Sequence, residues 1–212
     1  MLYELFLSAF ITLFVVIDPP GCAPIYAGLT KTASRRQSTV MAVRATFIAA
    51  IILLIFALFG EDLLSALHIE LNAFRIAGGL MLFWIAWEMV FEKRTQRREE
   101  RAEKVAAGQS DDEEVEDVSV FPMAMPMLAG PGAIAAIMLL MNEATGIEQS
   151  LVVMAALAAV LVLTMLALIA AAPLIRLLGD RVEAVITRLL GVLLAALAAQ
   201  YVIDGLRGSF LL

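Results

Sequence analysis

Cysteine and histidine are nearly absent from this chain, with one of each. Cys22 alone cannot form an intramolecular disulfide, and His68 alone gives no support to a metal site built on histidine and cysteine. There is no HExxH, no GxSxG and no histidine suited to serve as a base, which argues against an intramembrane enzyme and implies no cofactor. A basic leader is missing too. Met1-Leu2-Tyr3-Glu4 carries no positive charge and the first apolar run ends in Asp-Pro-Pro, so the first segment is expected to stay in the mature protein. The net charge of -6 is concentrated between Glu92 and Asp117, where ten acids face six bases, and gives no reason to expect nucleic acid as a partner.

Apolar residues dominate instead. At 62% hydrophobic and a mean hydropathy of +0.91, the 212 residues are too apolar for a soluble domain, where about half the residues are apolar. The expected partner is the lipid bilayer. Apolar runs of spanning length predict six transmembrane helices, at roughly 3 to 30, 38 to 59, 71 to 91, 120 to 141, 150 to 172 and 184 to 206. Six spans put both termini on one side. The connectors after the first, third and fifth spans hold Lys31, Arg35 and Arg36, then the six bases from Lys93 to Lys104, then Arg176 and Arg181. The opposite connectors, Gly60 to Glu70 and Asn142 to Gln149, hold no lysine or arginine, so the positive-inside rule places both termini outside the cytoplasm of a plasma (inner) membrane.

Two spans are interrupted. Asp18-Pro19-Pro20-Gly21-Cys22-Ala23-Pro24 falls inside the first, and Pro126-Met127-Leu128-Ala129-Gly130-Pro131-Gly132-Ala133 inside the fourth. Proline pairs and glycine cannot sit inside one regular helix, so each span is expected to consist of two half-helices, the second starting just after Pro-Gly. Backbone freed at membrane depth is tolerated only in a protein interior or a polar cavity, which makes both breaks site candidates.

The interruptions also recur at a fixed distance. Pro131-Gly132 follows Pro20-Gly21 by 111 positions, and Arg75-x-x-Gly78-x-Leu80 recurs as Arg188-x-x-Gly191-x-Leu193 after 113. That spacing predicts a repeat of half the chain: residues 1 to 91, a charged cytoplasmic linker at 92 to 118, and residues 119 to 212. Three spans per half is an odd number, so the second copy enters from the opposite side. The expected fold is an all-α membrane protein of two inverted three-helix repeats, with helices 1 and 4 broken near the midplane, an architecture in which the breaks meet at the substrate site. Gly78, Gly79, Gly191 and Ala195, Ala196, Ala198 and Ala199 would let the third and sixth helices pack closely. The first half of the linker, Glu92 to Lys104, could extend the third helix, and the second half is expected to be disordered.

At each break the second half-helix offers unpaired N-H groups to an anion and the first offers carbonyls to a cation, so a small zwitterion would satisfy both. Asp18 reads either as the N-cap of its half-helix or as an ionisable group that holds the substrate ammonium, a coupling cation or a proton. Arg75 and Arg188 read as snorkelling residues or secondary site candidates. Glu88, Gln200 and Asp204 can reach head groups, with Gln200 assigned a structural hydrogen bond first. Trp84, Trp87 and Tyr201 read as interface anchors or packing.

Asp18-Pro19-Pro20-Gly21-x-x-Pro24-Ile25, Ala129-Gly130-Pro131-Gly132-Ala133-Ile134 and Thr187-Arg188-Leu189-Leu190-Gly191 leading to Gln200-Tyr201-Val202-Ile203-Asp204-Gly205 together resemble the MarC family. The resemblance covers both halves and leaves out only the linker. It implies a transporter of glycine, alanine and other small neutral amino acids driven by protons, as in SnatA-like members, within a broader group of six-span carriers that includes LysE-type exporters. It does not imply drug efflux. By position, it implies a substrate site at Asp18, Pro19, Pro20, Gly21 and Pro24 and at Ala129, Gly130, Pro131 and Gly132. A carrier or channel for an inorganic ion, with Asp18 and the carbonyls around a cation, is the other reading.

Overall fold

The structure, a computed structural model, describes residues 2–91 and 117–210, and within them all side chains except those of 172 and 174–184. The described residues form helices joined by short connectors: α1 (Leu2–Ile17), α2 (Pro19–Leu29), α3 (Arg35–Ala66), α4 (Leu71–Val90), α5 (Ser119–Leu128), α6 (Pro131–Glu143), α7 (Gly146–Ile169) and α8 (Ala171–Phe210). Among them 5 helices are long and apolar enough to cross a membrane, counting Leu2–Leu29 as one span, and 6 if the bent pair α5 and α6 is another. The sequence expectation that Glu92 to Lys104 extends the third helix, and that the rest of the linker is disordered, lies outside the described residues.

Helix ends follow local chemistry. Ser34 and Gln37 form a reciprocal capping box at the start of α3, Ser34 Oγ accepting from Gln37 N (3.3 Å) and Gln37 Oε1 from Ser34 N (2.9 Å). At the other end His68 turns left-handed (φ 55), so that Ile69 N reaches Leu64 O and His68 N reaches Ser65 O. The single histidine therefore stops a helix. α3 runs to Ala66 and α8 starts at Ala171, so Gly60–Ala66 and the stretch before Val185, which the sequence reading took as connectors, are helical. Nothing in either stretch breaks a helix: Pro173 sits in the first turn of α8, where its missing N-H costs little.

α4 packs along the C-terminal half of α8, and glycines on both helices set how close they come. A Cβ at Gly79 would stand 2.8 Å from the Ala198 carbonyl oxygen, one at Gly191 3.1 Å from that of Ala86, and one at Gly205 2.9 Å from that of Asn72. Backbone meets backbone here, as small residues permit between membrane helices. Gly78 instead faces Leu139 of α6. α1 packs on α6, α7 and α8, α2 on α7 and α8, and α3 on α5, α6 and α7, enclosing Leu13, Ile17, Tyr26, Leu82, Met123, Leu128, Ile137 and Leu168. Phe47, Ile55, Leu58, Leu80, Leu189 and Leu193 point outward, as side chains facing lipid must.

Candidate substrate site at two helix breaks

Asp18 alone interrupts the first span. Its backbone is left-handed (φ 60, ψ 64), yet hydrogen bonds continue on both sides, from Asp18 N to Phe14 O (2.9 Å) and from Cys22 N to Asp18 O (3.0 Å). Pro19 and Pro20 bring no N-H to the last turn of α1, and they occupy the first two positions of α2, where none is needed. α2 thus begins at the proline rather than after Pro-Gly as the sequence reading had it, and α6 likewise begins at Pro131.

The next N-H, that of Gly21, donates to Asp18 Oδ1 at 3.2 Å. Asp18 is an N-cap, and it is 2% exposed. Glycine is required at 21 for this cap: a Cβ there would lie 2.4 Å from Asp18 Oδ2 and 2.9 Å from Cγ. The Cys22 thiol donates to the Ile17 carbonyl (3.4 Å), so the single cysteine packs and mends the break. At the sixth residue of α2, Pro24 has no N-H to offer the Pro20 carbonyl, which leaves polar backbone beside the interruption.

The second break is sharper, with α5 and α6 meeting at 52°. α5 is not a regular helix. Phe121 and Met125, each preceding a proline, are extended (φ -131 for both), because the α conformation is disfavoured before proline. Its backbone closes wider turns, Met123 N to Val118 O (3.2 Å) and Ala129 N to Ala124 O (2.9 Å). Gly130 caps α6 without a side-chain hydrogen bond, and a Cβ on it would stand 2.3 Å from the Pro126 carbonyl oxygen. Ala129 and Gly130 are buried, whereas Pro131 is exposed. A Cβ at Gly132 would lie 2.2 Å from Ile85 Cδ1 and 3.5 Å from Val16 Cγ1. Val16 is two residues before Asp18, so the start of α6 lies beside the end of α1.

The family profile described as MarC family integral membrane protein matches residues 3–210, a range that includes both breaks. The chain belongs to the MarC family. It is similar to a UPF0056 membrane protein of Methanocaldococcus jannaschii (35% identical over 208 residues, 98% of each chain). It is also similar to the UPF0056 membrane proteins YvbG of Bacillus subtilis (33% identical, covering 99% of this chain and 98% of the relative) and YhcE of Escherichia coli (32% identical, 98% and 94%). No solved structure matches.

The other candidate residues of this MarC chain lie on α4 and α8. Half-buried Arg75 donates to Asn72 Oδ1 (3.4 Å) and to Asn142 Oδ1 (3.5 Å), tying the start of α4 to the end of α6. Arg188 is exposed on α8. Gln200 Nε2 donates to both carboxylate oxygens of Asp204 (2.9 and 3.0 Å), the structural bond assigned to it. Glu88 does not reach outward. It is 8% exposed and accepts from Trp84 Nε1 at 2.8 Å, an arrangement that spares a buried carboxylate an unpaired state. Tyr201 is buried and packs, while Trp84 and Trp87 are exposed.

Sequence reasoning missed two features. Phe121-Pro122 and Met125-Pro126 were a legible signal that α5 could not be regular. The ion pair between Arg44 of α3 and Asp117 was not legible. Asp117 Oδ1 also accepts from Ser119 N (3.0 Å), and the Ser119 and Arg44 hydrogen bonds hold its carboxyl below the usual carboxylate range.

Proposed function

We propose that the chain is a proton-coupled secondary transporter of small neutral amino acids, glycine and alanine foremost, that binds its substrate where the two helix breaks meet. The observation that carries this reading is the closeness of the start of α6 to the end of α1: a Cβ at Gly132 would lie 3.5 Å from Val16 Cγ1, two residues before Asp18. The α6 N-terminus has no side-chain cap, so its N-H groups and dipole favour a carboxylate. Asp18 and the carbonyls released by prolines supply the opposite charge for an ammonium group. Glycines at 130 and 132 let backbone approach a ligand closely, and Ile85 and Val16 crowd position 132, which suits substrate side chains no larger than a methyl.

Alternating access between two inverted repeats is the mechanism proposed, and the packing pattern supports it. α1 lies on α7 as α5 lies on α3, α2 lies on α7 and α8 as α6 lies on α3 and α4, and α3 and α4 face their own counterparts α7 and α8. Both termini are proposed to lie outside the cytoplasm, from the distribution of lysine and arginine; reporter fusions at residues 105 and 212 test this, and a cytoplasmic signal at 212 overturns it.

The function itself is tested by a substrate panel in proteoliposomes under a proton gradient. Concentrative uptake of glycine and alanine, without flux of monovalent or divalent cations, is the expected outcome. Cation flux that ignores both amino acids would establish the inorganic-ion reading, in which Asp18 and the carbonyls coordinate the ion.

A further inference from the structure

Away from the breaks, α3 and α7 run antiparallel and leave a seam between them. At the end where α3 begins and α7 stops, a cavity of about 550 Å³ is lined by Thr30, Lys31, Arg35, Ser38, Leu168 and Pro173, among others. Lys31 and Arg35 are exposed, and among the described residues neither is ion-paired. One helical turn further along both helices lies an almost wholly apolar groove of about 370 Å³, lined by Val43, Phe47 and Leu54 of α3 and by Met154, Ala158 and Met165 of α7. The cavity and the groove are therefore end to end on one seam.

We propose that this seam binds an anionic phospholipid, with the phosphate held by Lys31 and Arg35 and an acyl chain lying along the α3 and α7 groove. Charge and shape both select this occupant. Basic pockets between membrane helices attract anionic head groups, and two cations lining the same cavity, without acidic partners among the described residues, provide that attraction here. A soluble anion would use the cations but not the groove. Along α7 the groove advances from Met165 to Met154, about 16 Å at the rise of an α-helix, and one leaflet of a hydrocarbon core about 30 Å thick is of that depth. An acyl chain entering beside the head group would fill it. The site is separate from the breaks, so a lipid there would hold the two middle helices of the halves together without blocking the substrate.

Purified protein in detergent is titrated with phosphatidylglycerol, with phosphatidylcholine of the same acyl chains, and with inorganic phosphate. Thermal melting reports stabilisation, and native mass spectrometry reports what is retained. Retention of phosphatidylglycerol and a raised melting temperature with that lipid alone is the expected result. Lys31→Gln with Arg35→Gln should weaken it about thirty-fold, the product of two basic contacts of ordinary strength at an anionic surface. Ala158→Phe fills the groove from an exposed position, leaves both cations in place, and should also release the lipid. Equal protection by inorganic phosphate, equal retention of the two lipids, or full retention by either variant would overturn the proposal. So would a dimer that Ala158→Phe dissociates while lipid binding is unchanged, since the groove would then be the seat of a second copy.

Discussion

Replacing Asp18 separates backbone, cap and charge, because this one residue holds a left-handed conformation (φ 60) and caps Gly21 N from a buried position. Alanine loses the cap, about 1 kcal/mol. It must also adopt a conformation that costs an ordinary residue roughly 1 kcal/mol more. Asp18→Ala should therefore destabilise by about 2 kcal/mol, a shift of some thirty-fold in the folding equilibrium. Glycine takes the left-handed conformation freely and serves at N-caps, so Asp18→Gly should cost only a few tenths of a kcal/mol. Asparagine keeps both the cap and the tolerance for positive φ, and Asp18→Asn should melt with the wild type. Melting temperatures in detergent check the order Asn, Gly, Ala. Alanine and glycine melting together, or asparagine as unstable as alanine, would refute the reasoning. Proton-driven glycine uptake by the same proteins then isolates the charge. Loss of uptake in well-folded Asp18→Asn and Asp18→Gly is expected, and an unchanged rate and pH profile in Asp18→Asn would confine the residue to capping.

Gly21→Ala should push the Asp18 carboxylate off its cap and destabilise by about 1 kcal/mol, and this effect should shrink in an Asp18→Gly background, which a double-mutant cycle measures. Gly79→Ala, whose Cβ meets the Ala198 carbonyl and Val202, should cost about 1 to 3 kcal/mol, whereas Gly28→Ala, with nothing within 4 Å, should stabilise α2 by roughly 0.5 to 1 kcal/mol; melting curves of the two variants check the contrast. Asp117 has a lowered carboxyl pKa in the folded protein, so its contribution is complete above the usual carboxylate value of about 4 and is lost as pH falls through the lowered value. The pair with Arg44 is solvent-exposed, so the effect should stay below about 1 kcal/mol, seen as wild-type and Asp117→Asn melting curves that differ at pH 7 and converge in acid.

The helical membrane fold was legible because it rests on local rules. Apolar run length marks spans, and proline with glycine marks where a span must stop, which is why Asp18 and Gly130 are interruptions in the structure. The cap at Asp18 was legible for the same reason, since an acceptor side chain before Pro-Pro-Gly has a donor three residues on. What the sequence withheld depends on partners far along the chain. Nothing near Arg44 points to Asp117, 73 residues away. Nothing near Lys31 and Arg35 says that α7 ends beside them. Glu88 read as surface-directed because its helix position is close to an end, yet it is buried and hydrogen-bonded to Trp84. α3 and α8 outrun their apolar stretches because a helix stops at a breaker or a cap rather than at polar residues, and neither Gly60–Ala66 nor the stretch before Val185 has one.

The most direct test of a substrate site at the two breaks is the initial rate of proton-driven glycine uptake by reconstituted wild-type protein and by Gly132→Leu combined with Ile85→Ala. The second substitution removes the side chain that a Cβ at 132 would strike, giving the leucine room while it occupies the space toward Val16. The account predicts concentrative uptake by the wild type and a folded, membrane-inserted variant with none. A folded variant carrying glycine at the wild-type rate would contradict it.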